Sequence, residues 1–338
     1  MMNKKRIRVF INGFGRIGRS TARIILKESS FELVGINDLY SYEQMAYLLK
    51  YDSLYPALPY SIKTEGDVLF IDERKVQLFS ESNPEKMDLG ALDVDVVLQC
   101  SGMFLTVEAN LPLIRNGAKR VLVSAPASDS MPTYIYGVNH ETFEGEYIVS
   151  NSSCSANAIV PIFKIVDKYF GIQGAIMNMY HSYTSYQNLL DNSHYSMDIR
   201  RTRSATQNTI PLISSAAEAT ACFFPHLKGR MSAKSIRVPI PAATLYDLTV
   251  KLNGRYTKEE VNFRFEEEVR SIYADILDIT NTPGGADNYI QNPYSAVINL
   301  PFTDVAGENL LRISAWQDNE YGYAKRVVDM AKIIGLFS

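Results

Sequence analysis

Short β-branched runs alternate with amphipathic segments through the first half of the chain. Residues 7–11 (IRVFI) form the first run, and apolar positions recur at helical spacing over residues 16–28. The same patterns predict further strands at residues 31–37, 95–100, 120–125 and 147–151, and helices at residues 42–51 and 106–118. Because strands and helices alternate, we predict a mostly parallel α/β sheet of the doubly wound type.

From residue 154 onwards the pattern changes to longer strands, some of them joined by short turns. Strands are predicted at residues 173–183, 234–241, 245–252, 295–300 and 309–317, and helices at residues 154–169, 212–223 and 257–276. Short turns favour hairpins, so we expect an antiparallel or mixed sheet in an α+β domain. The last stretch, 319–338, again has helical spacing and is predicted to close the chain as a helix.

The composition is that of an ordinary globular protein and narrows the function classes. The chain has 338 residues, a length sufficient for about two domains. Of these residues 46% are hydrophobic and 21% are charged. The net charge of -3 gives no basic footprint, so nucleic-acid binding is not expected as the main task. We find no export signal and no apolar run long enough for a membrane span, and therefore expect a cytoplasmic protein.

Three cysteines are spread widely along the sequence. Cys100, Cys154 and Cys222 show no CxxC or His/Cys ligand spacing, so neither a metal site nor a disulfide framework is predicted. Cys100 follows an apolar strand and Cys222 lies in ATACFF, and both are interpreted as core packing.

A glycine-rich turn follows the first predicted strand and opens the first predicted helix. Gly13, Gly15 and Gly18 form a GxGxxG, whose glycines permit a tight turn, approach of a pyrophosphate to the backbone, and close contact of helix with strand. Asp38 ends the second strand, where a carboxylate can accept hydrogen bonds from a ribose 2′-hydroxyl. These features predict NAD as cofactor; in the alternative interpretation the glycines serve packing only.

Cys154 stands among small polar residues immediately before the helix predicted at residues 154–169. A helix N-terminus favours a thiolate, and a nucleophilic thiol also needs a depressed pKa. His181, near the end of the next predicted strand, returns close to the start of that helix if the strand runs back alongside it. The pair predicts attack on an aldehyde, oxidation of the thiohemiacetal by NAD and a thioester on the enzyme. The alternative is an inert cysteine beside a polar strand terminator.

Arginines provide sites for an anion in this slightly acidic chain. Arg200, Arg201 and Arg203 form a compact cationic stretch, and Arg237 lies on a strand between apolar residues. A partly buried arginine needs an anionic partner, and a phosphate bound with help from neighbouring hydroxyls would supply one. Alternatively the three clustered arginines form a solvated loop or a subunit contact, and Arg237 pairs with an acid.

With these residues in place, the sequence resembles the family of phosphorylating glyceraldehyde-3-phosphate dehydrogenases over nearly its whole length. The matching stretches, in the family's order, are INGFGRIGR, INDL, YLLKYDS, VLVSAPAS, YGVNHE, SNSSCSAN, HSYTSYQ, RRTR, KSIRVPIP and WQDNEYGYAKRV. The resemblance implies a Rossmann-type dinucleotide-binding domain at residues 1–153, completed by a C-terminal helix at 319–338, and a catalytic domain at 154–318. It also implies a homotetramer of glycolysis or gluconeogenesis.

The resemblance also implies roles for individual residues. Cys154 would be the nucleophile and His181 the general base. Besides the three glycines, the cofactor contacts would be Arg16, Ile17, Asp38, Ser124, Asn319 and Tyr323. Two phosphates would be bound, the C3 phosphate of glyceraldehyde 3-phosphate by Thr184 and Arg237, and inorganic phosphate by Ser153, Ser155, Arg201 and Ser214.

Several positions depart from the family pattern. Ala158 stands where the family has a second cysteine, so a local disulfide with Cys154 cannot form. Ser214-Ser215 replaces a threonine-glycine pair of the phosphate loop, and Ser82 replaces an arginine near the adenine. Asn192-Ser193 replaces a leucine-proline pair near the adenosine ribose, so use of NADP stays open.

Three other functions also stay open on the sequence. One is the sister activity, erythrose-4-phosphate dehydrogenase, although Thr184 favours the triose. Another is a cysteine hydrolase, which leaves the glycine turn unexplained. The third is a catalytically weak member of the family with a regulatory role.

Overall fold

The chain folds as two units with separate sheets. The structure is a computed structural model that describes residues 6–282 and 284–337. One unit comprises the chain up to Ser153 together with the residues from Tyr323 onwards, and the other is Cys154–Gly322. The chain passes from the first unit to the second after Ser153 and returns to the first unit after Gly322.

An eight-stranded sheet forms the centre of the first unit. Its strands are β1 (Ile7–Asn12), β2 (Phe31–Asn37), β3 (Ile62–Glu65), β4 (Val68–Ile71), β5 (Arg74–Phe79), β6 (Val96–Gln99), β7 (Arg120–Val123) and β8 (Ile148–Ser150). They lie in the order β3-β4-β5-β2-β1-β6-β7-β8. The pairs from β5 to β8 are parallel, and β3 and β4 extend the sheet antiparallel. The expected Rossmann-type sheet is confirmed, while β3, β4 and β5 were not predicted.

The strand order reverses at β1, because β2 lies on one side of it and β6 on the other. Ligands of doubly wound sheets bind at such a switch point, beyond the carboxyl ends of the strands. The helices of this unit are α1 (Arg16–Ile25), α2 (Tyr42–Lys50) and α3 (Val107–Arg115). Side chains fix two of their starts: Ser41 accepts from the Gln44 N–H at 3.3 Å, and Thr106 accepts from the Ala109 N–H at 3.2 Å.

The second unit also has an eight-stranded sheet, which is mixed as expected. Its strands are β9 (Ile172–Ser182), β10 (Ile210–Ile213), β11 (Met231–Val238), β12 (Thr244–Leu252), β13 (Leu277–Thr280), β14 (Ala296–Asn299), β15 (Asp304–Ala306) and β16 (Leu310–Gln317). The order is β10-β11-β9-β12-β16-β14-β13, with β15 on β16. The long central strands β9, β12 and β16 pair antiparallel, and β11 runs parallel to β9.

The α-helices that follow β8 in the described chain are α4 (Cys154–Phe170), α5 (Ala216–Ala221), α6 (Lys258–Val269) and α7 (Tyr321–Gly335). The helix predicted at 154–169 is confirmed as α4. Two others are corrected: the segment 212–223 begins as strand β10 and contains only the short α5, and α6 ends well before residue 276. No helix in the described part of the chain combines the length and apolar character needed to cross a membrane.

Candidate active site

The glycine turn between β1 and α1 has the three properties expected of a phosphate-binding turn. Gly13 has φ +94°, and a Cβ there would lie 2.4 Å from the Ser101 amide nitrogen of the neighbouring strand end. A Cβ on Gly18 would lie 2.1 Å from the Gly13 carbonyl oxygen, so this position holds helix and turn together. A Cβ on Gly15 would meet no atom within 4 Å. The only open face is therefore at Gly15, where the N-terminus of α1 points outward, and this space fits a dinucleotide pyrophosphate.

Asp38 lies at the end of β2 and is tied to the same turn. One carboxylate oxygen accepts from the Phe14 N–H and the other from the Leu39 N–H at 2.7 Å. The neighbouring strand ends are joined by a buried side-chain hydrogen bond in which Asn37 donates to Asn12 at 2.7 Å. The structure thus brings Asp38 next to the GxGxxG turn, the position required for an acid that reads a ribose.

Other cofactor residues predicted in this unit also lie at the carboxyl edge of the sheet or in the first turn of α1. Arg16 and Ile17 begin α1, and the Arg16 guanidinium pairs with Asp52. Burial alone would raise the pKa of the Asp52 carboxyl, but the hydrogen bond and charge of Arg16, together with the backbone N–H groups of Leu54 and Tyr55, outweigh it and the pKa is lowered. Ser124 follows β7 and donates to the Gln99 carbonyl at 3.1 Å.

Tyr323, also predicted as a cofactor residue, opens the C-terminal segment of the first unit. It is buried, and its hydroxyl donates to the Ser152 carbonyl at 2.8 Å. Ser152 has φ +57°, a left-handed conformation that costs free energy in a non-glycine residue. The Tyr323 hydroxyl therefore supports a strained backbone two residues before Cys154.

In the second unit, strand register places the chemical side chains in one row. Arg237 of β11 is paired with His181 of β9, His181 with Thr244 of β12, and Thr244 with Gln317 of β16. Directly paired residues of neighbouring strands point to the same face of a sheet. The row therefore presents a guanidinium, an imidazole, a hydroxyl and an amide side by side.

Cys154 is the first residue of α4, and its thiol meets this row. The Sγ atom lies 4.0 Å from the Nε2 atom of His181. On the other side of the ring, Nδ1 lies 2.7 Å from the Ser182 carbonyl oxygen and 2.5 Å from a terminal nitrogen of Arg237. A proton on Nδ1 would be donated to the Ser182 carbonyl and would leave Nε2 to accept the thiol proton; a bare Nδ1 would instead accept from Arg237. The pairing of Cys154 and His181 anticipated from the sequence is present in the structure.

The electrostatics differ from the expected depressed thiol pKa. Burial raises the pKa of the Cys154 thiol, and the positive charge of Arg237 and hydrogen bonding from Ser155 oppose this shift without reversing it. Burial also lowers the pKa of His181 to about 3, and Arg237 lowers it further against the opposing hydrogen bond to Ser182. The resting pair is therefore a neutral thiol beside a neutral imidazole, because both ionised forms lose hydration.

Arg237 itself has the properties of an anion-binding group. It is half-buried, and within the described chain no carboxylate forms an ion pair with it. Burial lowers its pKa to about 10, and the nearby positive charge of Arg201 contributes to that shift. Two like charges close together in a partly desolvated place favour the binding of an anion.

The loop arginines divide into two kinds. Arg200 pairs with Asp198 at 2.7 Å and Arg203 pairs with Asp191 at 2.7 Å, so these two have the solvated-loop role of the alternative interpretation. Arg201 is the one whose charge reaches Arg237.

The predicted hydroxyl residues take part in local hydrogen bonds. Thr184 donates to the Gln187 side-chain oxygen at 3.1 Å, and Ser214 accepts from the Ala216 N–H at 3.2 Å near the start of α5. Ser155 is buried next to Cys154, and Ser153 directly precedes it in the chain. Thr184, Ser155 and Ser214 keep hydroxyl oxygens that can still form further bonds.

The predicted cofactor residue Asn319 lies in the second unit, where the Ser182 hydroxyl donates to its side-chain oxygen at 2.9 Å. This bond leaves the Asn319 NH₂ group to donate elsewhere.

The remaining two cysteines behave differently from each other. Burial raises the pKa of Cys100 to about 12, consistent with an inert thiol. Cys222 is exposed, so its interpretation as a core residue is wrong. Its neighbour Phe224 is buried instead, because the six-residue α5 ends at Ala221 and turns Cys222 towards solvent.

Tyr246 and Gln317 were not predicted as site residues, but both are buried and lie close to Cys154. Neither residue lies in a sequence motif that indicates chemistry. Only the pairing of β12 with β16 brings them together near Cys154.

Comparison with known proteins agrees with this geometry. Residues 7–107 match the family model described as glyceraldehyde 3-phosphate dehydrogenase, NAD binding domain, and residues 153–319 match that of the C-terminal domain. The chain is 38% identical to glyceraldehyde-3-phosphate dehydrogenase 2 of Streptomyces avermitilis, over 97% of this chain and 98% of the relative. It is 36% identical to glyceraldehyde-3-phosphate dehydrogenase 2 of Bacillus subtilis, over 97% of this chain and 96% of the relative. A chloroplastic relative from Arabidopsis thaliana is 36% identical, over 98% of this chain and 85% of its own.

Proposed function

Because the chain belongs to the glyceraldehyde 3-phosphate dehydrogenase family and is an NAD-dependent dehydrogenase, we propose that it converts glyceraldehyde 3-phosphate and inorganic phosphate to 1,3-bisphosphoglycerate. The observation that carries the proposal is the 4.0 Å approach of Cys154 Sγ to His181 Nε2, with Arg237 on the other side of the same imidazole. A nucleophile, a base and an anion-binding group are thus side by side.

The residues support a two-stage reaction on the thiol. In the first stage the Cys154 sulfur attacks the aldehyde carbon as the thiol proton passes to His181 Nε2, and His181 then returns that proton to the former carbonyl oxygen to give a thiohemiacetal. The chemistry that NAD supplies when bound is acceptance of a hydride from the substrate carbon. His181 removes the hydroxyl proton as the thiohemiacetal becomes a thioester. Inorganic phosphate then attacks the acyl carbon, and the Cys154 thiolate leaves.

Neutral His181 suits this cycle. A base must be unprotonated when the thiol proton leaves, and the low pKa of His181 keeps the ring neutral at physiological pH. Binding of a phosphate dianion beside Arg237 would offset the positive charge that depresses this pKa. Substrate binding would thereby make His181 a stronger base when the sulfur attacks.

For the two phosphates we propose the arginine and hydroxyl side chains that the sequence singled out. Arg237 and Thr184 would hold the C3 phosphate, since Arg237 lacks a carboxylate partner within the described chain. Inorganic phosphate would be bound by Ser153, Ser155, Arg201 and Ser214.

We propose that Gly13, Gly15, Gly18, Arg16, Ile17, Asp38, Ser124, Asn319 and Tyr323 form the cofactor site. Its best support is the open space at Gly15 beside Asp38.

A homotetramer is proposed as the working assembly. The open face of the second sheet exposes Ile176 by 58% and Tyr180 by 37%, although both lie on the central strand β9. Apolar side chains at the centre of a sheet are normally covered, so another subunit is the natural partner.

We further propose a cytoplasmic enzyme of glycolysis or gluconeogenesis. The three cysteines are unpaired and Cys222 is exposed, as expected in a reducing compartment.

A steady-state assay of NAD reduction tests the function. Glyceraldehyde 3-phosphate and erythrose 4-phosphate are compared as substrates, each with and without inorganic phosphate and with NAD or NADP. We expect the triose, NAD and phosphate together to give the highest kcat/KM, and Cys154→Ala to abolish turnover while NAD binding persists. A rate indifferent to phosphate would reject the phosphorylating reaction, and higher activity on erythrose 4-phosphate would assign the sister activity.

A further inference from the structure

Two buried polar side chains connect the sheet to the nucleophile. The Tyr246 hydroxyl donates to the Gln317 side-chain oxygen at 2.7 Å, and the Gln317 amide donates to the Cys154 carbonyl at 3.2 Å. Tyr246 and Gln317 are 0% and 1% exposed, so water does not replace either bond. The chain of hydrogen bonds therefore ends on the main chain of the residue that carries the reactive thiol.

Strand pairing explains why the two side chains meet. Gln317 at the end of β16 is paired with Thr244 of β12, and Tyr246 lies two residues further along β12 on the same face. Diagonal neighbours in a sheet are within reach of a long aromatic side chain. The tyrosine hydroxyl thus reaches the amide, and the amide reaches out of the sheet to the start of α4.

The direction of the bonds matters, because a side-chain amide has a donor end and an acceptor end. Tyr246 donates to the oxygen of Gln317 and so turns the NH₂ group towards Cys154. Burial raises the pKa of Tyr246 well above its ordinary value, and its hydroxyl remains a donor at physiological pH. Without that hydroxyl, the amide can rotate and present its oxygen to the Cys154 carbonyl, which is repulsive.

The bond to Cys154 acts where α4 is least constrained. Cys154 is the first residue of the helix, and its thiol must stay near His181, 4.0 Å away in the structure. A carbonyl has two lone pairs, so this oxygen accepts the Gln317 N–H in addition to the helical bond. A hydrogen bond from a rigid strand therefore fixes the first turn of α4 relative to β9.

We propose that Tyr246 and Gln317 are positioning residues, which hold Cys154 at the distance from His181 needed for proton transfer. The inference rests on the proposed function of Cys154 as nucleophile. It adds two residues that act through the Cys154 main chain.

The test measures reactivity and stability separately in four variants. All carry Cys222→Ser, which removes the exposed thiol and keeps a donor for the Glu218 carbonyl. The variants are Tyr246→Phe, Gln317→Met, the double variant, and the control Tyr273→Phe, which removes a hydroxyl from another buried tyrosine of the same unit. For each, the rate of Cys154 alkylation by iodoacetamide is followed from pH 6 to 9 by mass spectrometry, alongside Tm, kcat and KM.

A purely structural pair and a positioning pair give different results in the double variant. Each single change leaves one buried polar group unsatisfied and lowers Tm, whereas removing both groups together restores much of the loss. The donor to the Cys154 carbonyl is absent from Gln317→Met and from the double variant alike. We therefore expect alkylation at pH 7.5 and kcat to fall about tenfold in both, with KM little changed, as for loss of one buried hydrogen bond. Tyr273→Phe should leave these rates unchanged.

Recovery of the alkylation rate together with Tm in the double variant would overturn the inference, as would unchanged or faster alkylation in Gln317→Met. Failure of the proposed function has a separate signature in the protein with only Cys222→Ser. There, alkylation of Cys154 would leave oxidation of glyceraldehyde 3-phosphate intact, or no oxidation would occur.

Discussion

His181 makes the stability of the second unit sensitive to acid, with a sign and size that follow from its burial. Its side chain is buried, and its pKa falls from 6.5 to about 3 in the folded protein because burial and Arg237 disfavour the charged ring. Between these two values the unfolded chain binds a proton that the folded chain does not. The free energy of unfolding therefore decreases as the pH falls from 6.5 towards 3.

The size follows from linkage. Each pH unit within this window contributes about 1.4 kcal/mol, so at pH 5 the contribution of His181 to the free energy of unfolding is lower by about 2 kcal/mol than at pH 7.5. Replacing His181 with Gln removes the titrating group and keeps a polar side chain. We expect the wild type to lose about 2 kcal/mol more than His181→Gln between these two pH values.

Urea denaturation at pH 7.5 and pH 5, followed by fluorescence of the single tryptophan in the second unit, measures the difference. His194→Gln serves as control, because His194 lies in a loop outside the sheet and is only half-buried. Equal losses in wild type and His181→Gln would refute a depressed histidine pKa, and with it the assignment of a neutral ring to the resting site.

Two further substitutions test the binding groups. Gly15→Ala adds a methyl group where no protein atom lies within 4 Å, so we expect an unchanged Tm and an NAD Kd at least about tenfold higher in a fluorescence titration. The control Gly90→Ala, whose Cβ would lie 3.6 Å from its nearest neighbour, should leave the Kd unchanged. Arg237→Gln removes a cation beside the proposed phosphate site, and should raise KM for glyceraldehyde 3-phosphate about a hundredfold while changing KM for unphosphorylated glyceraldehyde much less. The control is Arg203→Gln: because Arg203 is already paired with Asp191, this substitution should change neither KM. Equal effects of Arg237→Gln on the KM of both aldehydes would contradict a phosphate contact.

The first unit could be predicted well where its chemistry is local. The turn at Gly13 to Gly18 has steric requirements that follow directly from backbone geometry, and the sequence shows them without any partner. The edge strand β3 was missed because an edge strand can be polar on both faces. Residues 62–65 alternate only between half-buried and exposed, so they look like loop in the sequence.

The ends of the helices in the second unit were harder to predict from apolar periodicity than their starts. Thr257 and Glu260 form a capping box that fixes the start of α6, and this could be read from the sequence. Apolar spacing continues past Val269, however, and gives no sign that the helix stops there. In α5 the helix is too short for periodicity to define a buried face, which is why Cys222 was placed in the core.

Cys154, His181 and Arg237 could be singled out from the sequence one by one, whereas Gln317 could not, and the arrangement of these candidate-site residues depends on strand register. Arg237, His181 and Gln317 come from three different strands, and each pairing step that joins them spans more than fifty residues of chain. A slip of one residue in either neighbouring ladder would turn Arg237 or Gln317 to the opposite face of the sheet relative to His181. No motif encodes that register; the hydrophobic faces of β9, β11, β12 and β16 set it together.

The pKa values of His181 and Cys154 depend on this register in turn, since the same Arg237 charge lowers the pKa of His181 and opposes the rise in the pKa of Cys154 only when the three side chains share one face. Reactivity of the thiol is therefore a property of the sheet, and substitutions that shift strand pairing far from Cys154 should alter its alkylation rate before they unfold the protein.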